Sequence, residues 1–132
     1  MRYMLDTNIC IHAARAGDHA LLEKLESFLV GDLVMSAITL AELEAGTRRD
    51  PDSRRRQEAL AELVRFIEPV AFDERAAACF GDLQAAMQER KRGGYDRLIA
   101  AHAISLRLPL VTNNVRDFRD MPRLRLENWA TR

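Results

Sequence analysis

Lysine is nearly absent from this chain, an excess of either charge is absent altogether, and no apolar run approaches the length of a membrane span. Lys and Arg number 20 against 20 Asp and Glu, so no overall positive field draws the protein to nucleic acid and any such contact falls to local patches. Lys24 and Lys91 are the only lysines; the other basic charge is arginine, gathered at Arg54 to Arg56, Arg90 to Arg92 and Arg116 to Arg125. Guanidinium suits bidentate phosphate contact, although such runs equally form a solvated face. The apolar run over 98–101 stops at His102, far short of the roughly 20 residues a span requires, which predicts a soluble protein with no membrane partner. Cysteine is scarce too. Cys10 and Cys79 lack metal-ligand spacing, and no leader-like segment precedes Tyr3, so the expectation is a reduced, cytoplasmic chain. His12, His19 and His102 have no serine or cysteine nucleophile at matching spacing and read as structural or surface residues.

At 132 residues, 48% apolar and 30% charged, the chain predicts a single domain over 1–132 with a full core. No repeat, low-complexity segment or linker divides it. A short strand is expected over 3–5, then a helix over 8–16 ended by Gly17. Asp18 caps a second helix whose Leu21, Leu22, Leu25, Phe28 and Leu29 recur at helical spacing up to Gly31. A second strand over 33–35 leads to Ser36, the N-cap of a helix through Ala45 that Gly46 closes. Pro51 opens a helix carrying Leu60, Leu63, Val64 and Ile67, which Pro69 ends. A third strand over 70–72 precedes Asp73, the cap of a long helix reaching Gly93-Gly94. Asp96 begins a helix apolar on nearly every side, hence buried. Strands over 109–111 and 124–126 complete the pattern. Strands alternating with helices predict a three-layer α/β/α sandwich around a short, mainly parallel sheet of about five strands with right-handed crossovers.

Within that pattern, four acids occupy comparable settings. Asp6, in Asp6-Thr7-Asn8, stands where the first strand ends, the edge of a parallel sheet at which ligands collect. Glu42 lies on a largely apolar helix, where a charge wants a partner. Asp96 starts the buried helix, and Asp117 follows the fourth strand in Thr112-Asn113-Asn114-Val115-Arg116-Asp117. Singly, each has a plain reading: Asp6 and Asp96 as helix caps, Glu42 as a paired charge, Asp117 as surface charge in a turn. Jointly, all four can reach one sheet edge, and four carboxylates brought together bind a divalent cation. Oxygen ligands favour Mg2+ or Mn2+ over zinc, which prefers the nitrogen and sulfur missing here. Such a cation can activate water for phosphodiester cleavage. In this reading Asp6 and Asp96 hold the metal, Glu42 orients or deprotonates the water, and Asp117 completes the shell or assists a second ion. Thr7, Asn8, Thr112 and Asn113 would orient carboxylates or contact the scissile phosphate.

These segments resemble a known family. The Leu5-Asp6-Thr7-Asn8 start, Ser36-x-x-Thr39-x-x-Glu42-Leu43, Asp96-x-Leu98-Ile99-Ala100-Ala101-His102-Ala103, Leu110-Val111-Thr112-Asn113-Asn114-x-x-Asp117-Phe118 and the closing Leu126-Glu127-Asn128-Trp129 are similar to PIN-domain toxins of the VapC type. The likeness runs from Tyr3 to Trp129 with the motifs in family order. It implies a metal-dependent ribonuclease, the toxin of a bacterial toxin-antitoxin pair, with Asp6, Glu42, Asp96 and Asp117 as its acidic site. It also implies a homodimer and a VapB-like antitoxin whose tail crosses the acidic cleft; the helices over 37–67 are the expected pairing surface. Two features depart from the family. The connection before Asp96 is short, and the last acid is aspartate where relatives often carry glutamate, so Asp117 would reach the metal through water. Two other classes fit the acids in part: a phosphotransferase with Asp6 as nucleophile, which lacks a second aspartate at residue 8 and a placed lysine, and a catalytically silent RNA-binding or protein-interaction module.

Overall fold

The computed structural model describes residues 1–15, 18–87 and 94–130. Five strands, β1 (Tyr3–Leu5), β2 (Leu33–Ser36), β3 (Glu68–Val70), β4 (Leu110–Val111) and β5 (Leu126–Glu127), pair in parallel in the order β3-β2-β1-β4-β5. Six helices connect and cover them: α1 (Thr7–Ala14), α2 (His19–Glu26), α3 (Ala37–Arg49), α4 (Ser53–Phe66), α5 (Glu74–Ala86) and α6 (Gly94–Leu106). The alternation of side chains along a strand splits the core in two. Met4, Val34 and Leu110 pack with Leu83 of α5 and Ile99, Ala100 and Ala103 of α6. Leu5, Leu33, Met35 and Val111 pack with Ile9 and Cys10 of α1 and Leu21 and Leu25 of α2. Both sheet faces are therefore covered, which is why the central strands read as unbroken apolar runs. Among the described residues, no helix is long and apolar enough to cross a membrane.

Several boundaries differ from expectation, each for a local reason. The first helix starts at Thr7, with Asp6 as its N-cap accepting from the Ile9 N–H at 2.8 Å; its expected end at Gly17 lies outside the described residues. The second helix stops at Glu26 instead of running to Gly31. Phe28 leaves it to stack on Trp129, with ring centroids 5.2 Å apart, while Tyr3 meets both rings edge-on. Gly31 adopts φ +97° in the turn into β2, a conformation glycine enters without steric cost. Helix α3 passes through Gly46 to Arg49, supported by the Arg48–Glu44 pair one turn apart. Pro69 does not precede the third strand but lies inside it, since β3 spans 68–70 and not 70–72. That strand is at the sheet edge, where a missing N–H costs no ladder bond. Helix α6 opens at Gly94, not Asp96; the expected run of α5 to Gly93 crosses residues 88–93, outside the described ones. The fourth strand is 110–111 and the last 126–127, which starts two residues later and ends one residue later than the predicted 124–126.

One buried polar staple joins the layers. His102 on α6 is 1% exposed, and its Nδ1 lies 2.8 Å from the Oγ of Ser36, which in turn accepts from the Ile38 N–H to cap α3. Burial lowers the imidazole pKa and so favours the neutral ring, against opposing contributions from Asp73 and a hydrogen bond to the Ala71 backbone. His102→Ala removes these bonds and leaves a void, so urea unfolding should show a loss of about 2 kcal/mol.

Candidate active site

The sheet register sets the site. Met4 aligns with Val34 and Leu5 with Val111, so the residues that follow, Ser36, Asp6 and Thr112, fall at one level on the carboxyl edge of β2, β1 and β4. Asp6 is buried, 2% exposed. Burial raises its pKa to about 6, helped by the charges of Asp96 and Glu42 and opposed by hydrogen bonds from Thr112 and the Ile9 N–H. Asp96, in the first turn of α6, is raised by burial and then by Asp117 and Glu42. The four expected acids therefore act on one another electrostatically: Asp6 with Asp96 and Glu42, and Asp96 with Asp117. Among the described residues, no Lys or Arg forms an ion pair with Asp6, Glu42 or Asp96.

Neutral residues hold the acids in place. Thr7 Oγ1 donates to Glu42 Oε1 at 2.5 Å and lies 3.3 Å from the Oγ1 of Thr39, one turn before Glu42 on α3. Thr112, fully buried, bonds Asp6 and accepts from the Asn114 N–H. Asn114 Nδ2 donates to Asp117 Oδ2 at 2.7 Å, fixing the 3-10 turn Val115–Asp117. The sequence reading gave Thr39 and Asn114 no part in the site; the polar runs around each acid were their only signal. Asn8 and Asn113 make no side-chain hydrogen bond to the acids among the described residues, and both line a cleft beside α1. Arg97, next to Asp96, also went unread. It is fully buried, with Nη1 donating at 2.6 Å to Gln84 of α5, and so ties the helix carrying Asp96 to its neighbour.

The donors fit a hard cation. All are carboxylate oxygens, and mutual repulsion plus burial leaves Asp6 holding its proton unusually tightly. Among the described residues, no three His, Cys, Asp or Glu side chains are grouped closely enough to hold a metal ion; magnesium keeps several waters and is typically held by one or two carboxylates. Cys10 offers no rival nucleophile, since burial and Asp6 push its thiol pKa up. From Thr7 and Glu42 a groove of about 470 Å³ runs between α1, α3 and α4 past Leu43, Leu60 and Leu63, with Tyr95 at its rim.

Comparison with known proteins identifies the family. A PIN domain model matches residues 3–124. Ribonuclease VapC2 of Rickettsia felis is 34% identical over 98% of both chains. The tRNA(fMet)-specific endonuclease VapC of Shigella flexneri is 34% identical over 98% of this chain and 99% of its own. Among solved structures, DNA-bound VapBC from Salmonella typhimurium superposes with a TM-score of 0.90 at 32% identity, covering 98% of this chain and 99% of that one. VapBC2 from Rickettsia felis, bound to a promoter fragment, gives 0.86 at 33% identity with the same coverage. The chain belongs to the PIN-domain family and, within it, to the VapC ribonucleases.

Proposed function

We propose that residues 1–132 form a single-domain, metal-dependent endoribonuclease, the toxin of a bacterial toxin-antitoxin pair, with Asp6, Glu42, Asp96 and Asp117 as its catalytic acids. The observation that carries this reading is the electrostatic coupling of the four acids at one sheet edge. Asp6 and Asp96 are the residues to hold Mg2+ or Mn2+. Such an ion, when bound, offsets phosphoryl charge and makes water acidic enough to attack. Glu42 receives the Thr7 hydroxyl on Oε1, which leaves Oε2 to accept the proton of the attacking water. Asp117, fixed by Asn114, completes the acidic set through its interaction with Asp96. Water, rather than the ribose 2′-hydroxyl, is the nucleophile, so the products carry a 5′-phosphate and a 3′-hydroxyl.

The groove beside Glu42 supports the partner reading. A VapB-like antitoxin laid along α3 and α4 would bring a basic side chain to the acids, where a charge-assisted bond is strong. A homodimer and a cytoplasmic setting belong to the same reading; both cysteines are free thiols, as a reducing compartment requires. The test is cleavage of total bacterial RNA by the purified chain in magnesium and in EDTA, with product ends mapped. Cuts seen only with magnesium and bearing 5′-phosphates support the proposal. Cuts that persist in EDTA, or end in 2′,3′-cyclic phosphates, contradict it.

A further inference from the structure

Adjoining the apolar groove, with which it shares Asn8, Ile11 and Arg15, lies a second, smaller cleft of about 350 Å³, lined also by His12 of α1 and by Asn113 and Asn114 of the loop after β4. Residues 8, 11, 12 and 15 recur at three and four residue spacing, so they share one helix face. The opposite wall is joined directly to the acids, because Thr112, next to Asn113, bonds Asp6, and Asn114 bonds Asp117. Among the described residues, no carboxylate lines this cleft. It is a neutral to basic space beginning two residues after the buried Asp6.

Its polar groups have a definite chemistry. Among the described residues, the side-chain amides of Asn8 and Asn113 have no hydrogen-bond partner, and each offers a donor and an acceptor side by side. That pair matches the edge of a nucleobase, as the bidentate pairing of asparagine with adenine illustrates. Unpaired bases are what proteins read in single-stranded RNA. His12 is engaged at 3.4 Å by Asp18, which leaves Arg15 as the fixed positive charge of the cleft. Arg15 stands seven residues from Asn8, about 10 Å along the helix at 1.5 Å per residue, and so meets a phosphate beyond the one being cut. The volume sits at the lower end of the ~300–1,000 Å³ typical of ligand sites.

We propose that this cleft is a nucleotide subsite: it takes one unpaired base of the RNA strand between Asn8 and Asn113, with Arg15 on a neighbouring phosphate. The inference rests on the ribonuclease reading and deepens it, since it makes the cleft the part of the site that chooses the base beside the cut.

The test uses four short single-stranded RNAs, identical except for A, C, G or U beside the cut, with wild type, the Asn8→Ala/Asn113→Ala double variant and Arg15→Ala. Melting curves establish that each variant is folded. Wild type should spread its kcat/KM over about tenfold or more among the four RNAs, and the double variant should compress that spread to about twofold. Arg15→Ala should weaken all four alike and lower the slope of log affinity against log salt by about one. A double variant that keeps the wild-type preference, or a wild type that has none, overturns the subsite. If wild type cuts none of them, cleavage of total RNA in magnesium decides the nuclease reading by itself. Fluorescence anisotropy on the same RNAs then decides the cleft: base-dependent binding lost in the double variant supports it, and base-independent binding overturns it.

Discussion

Asp6→Asn is expected to reduce RNA cleavage by about a thousandfold and, at pH 7, to make the protein more stable. The two effects share one cause. Asp6 is buried among other acids, and its pKa of about 6 in the fold stands above the ordinary 3.8. Between those values the native state binds more protons than the unfolded chain, so stability is fully present below about pH 4 and is lost as pH rises through about 6. Just over two pKa units correspond to a cost of about 3 kcal/mol at neutral pH. Asparagine carries no charge to desolvate and caps a helix as well as aspartate does, so the bond from the Ile9 N–H survives. At ~4 °C of Tm per kcal/mol, calorimetry without added metal should show a rise of several degrees at pH 7 that shrinks toward pH 4. A variant that is both less stable and inactive would mean that Asp6 is a structural cap and that its loss simply damages the fold.

Activity should depend on pH through the same carboxylate. At limiting magnesium, kcat/KM should fall at least about tenfold per pH unit below about pH 6, because protonated Asp6 is no ligand. Asp96 is raised in the same direction, by burial and by Asp117 and Glu42. Proton and cation compete for the same oxygens, so raising magnesium should move the limb to lower pH. A profile that is flat from pH 7.5 to 5, or whose limb ignores magnesium, contradicts the assignment of Asp6 as a ligand. Initial rates on one RNA across a grid of pH and magnesium suffice.

The layered α/β architecture was legible because its signals are periodic: unbroken apolar strands, capping Asp or Ser at the helix starts, and an all-apolar α6. The four acids were legible because each interrupts such a pattern where a strand ends or a buried helix passes. What stayed hidden depends on contacts distant in sequence. Gly46 reads as a helix stop, yet α3 continues to Arg49. Pro69 reads as the end of the preceding helix, yet it lies inside β3, whose edge position tolerates it. Phe28 fits the helical period of α2 but is drawn out of it by Trp129, one hundred residues away in sequence. In the site, Thr39 and Asn114 acquire their roles only when α1 meets α3 and when the loop after β4 folds back on itself. Arg97 sits fully buried because Gln84 of α5 receives it, a pairing that no spacing announces.

The central claim is that these carboxylates form a divalent-cation site. Titration with Mn2+, followed by electron paramagnetic resonance of the free ion, tests it without RNA. Wild type and Asp120→Asn, which alters an exposed neighbouring acid, should bind the ion saturably. Asp6→Asn and Asp96→Asn should each weaken binding by about tenfold or more. Unchanged Mn2+ binding in Asp6→Asn and Asp96→Asn would contradict the account.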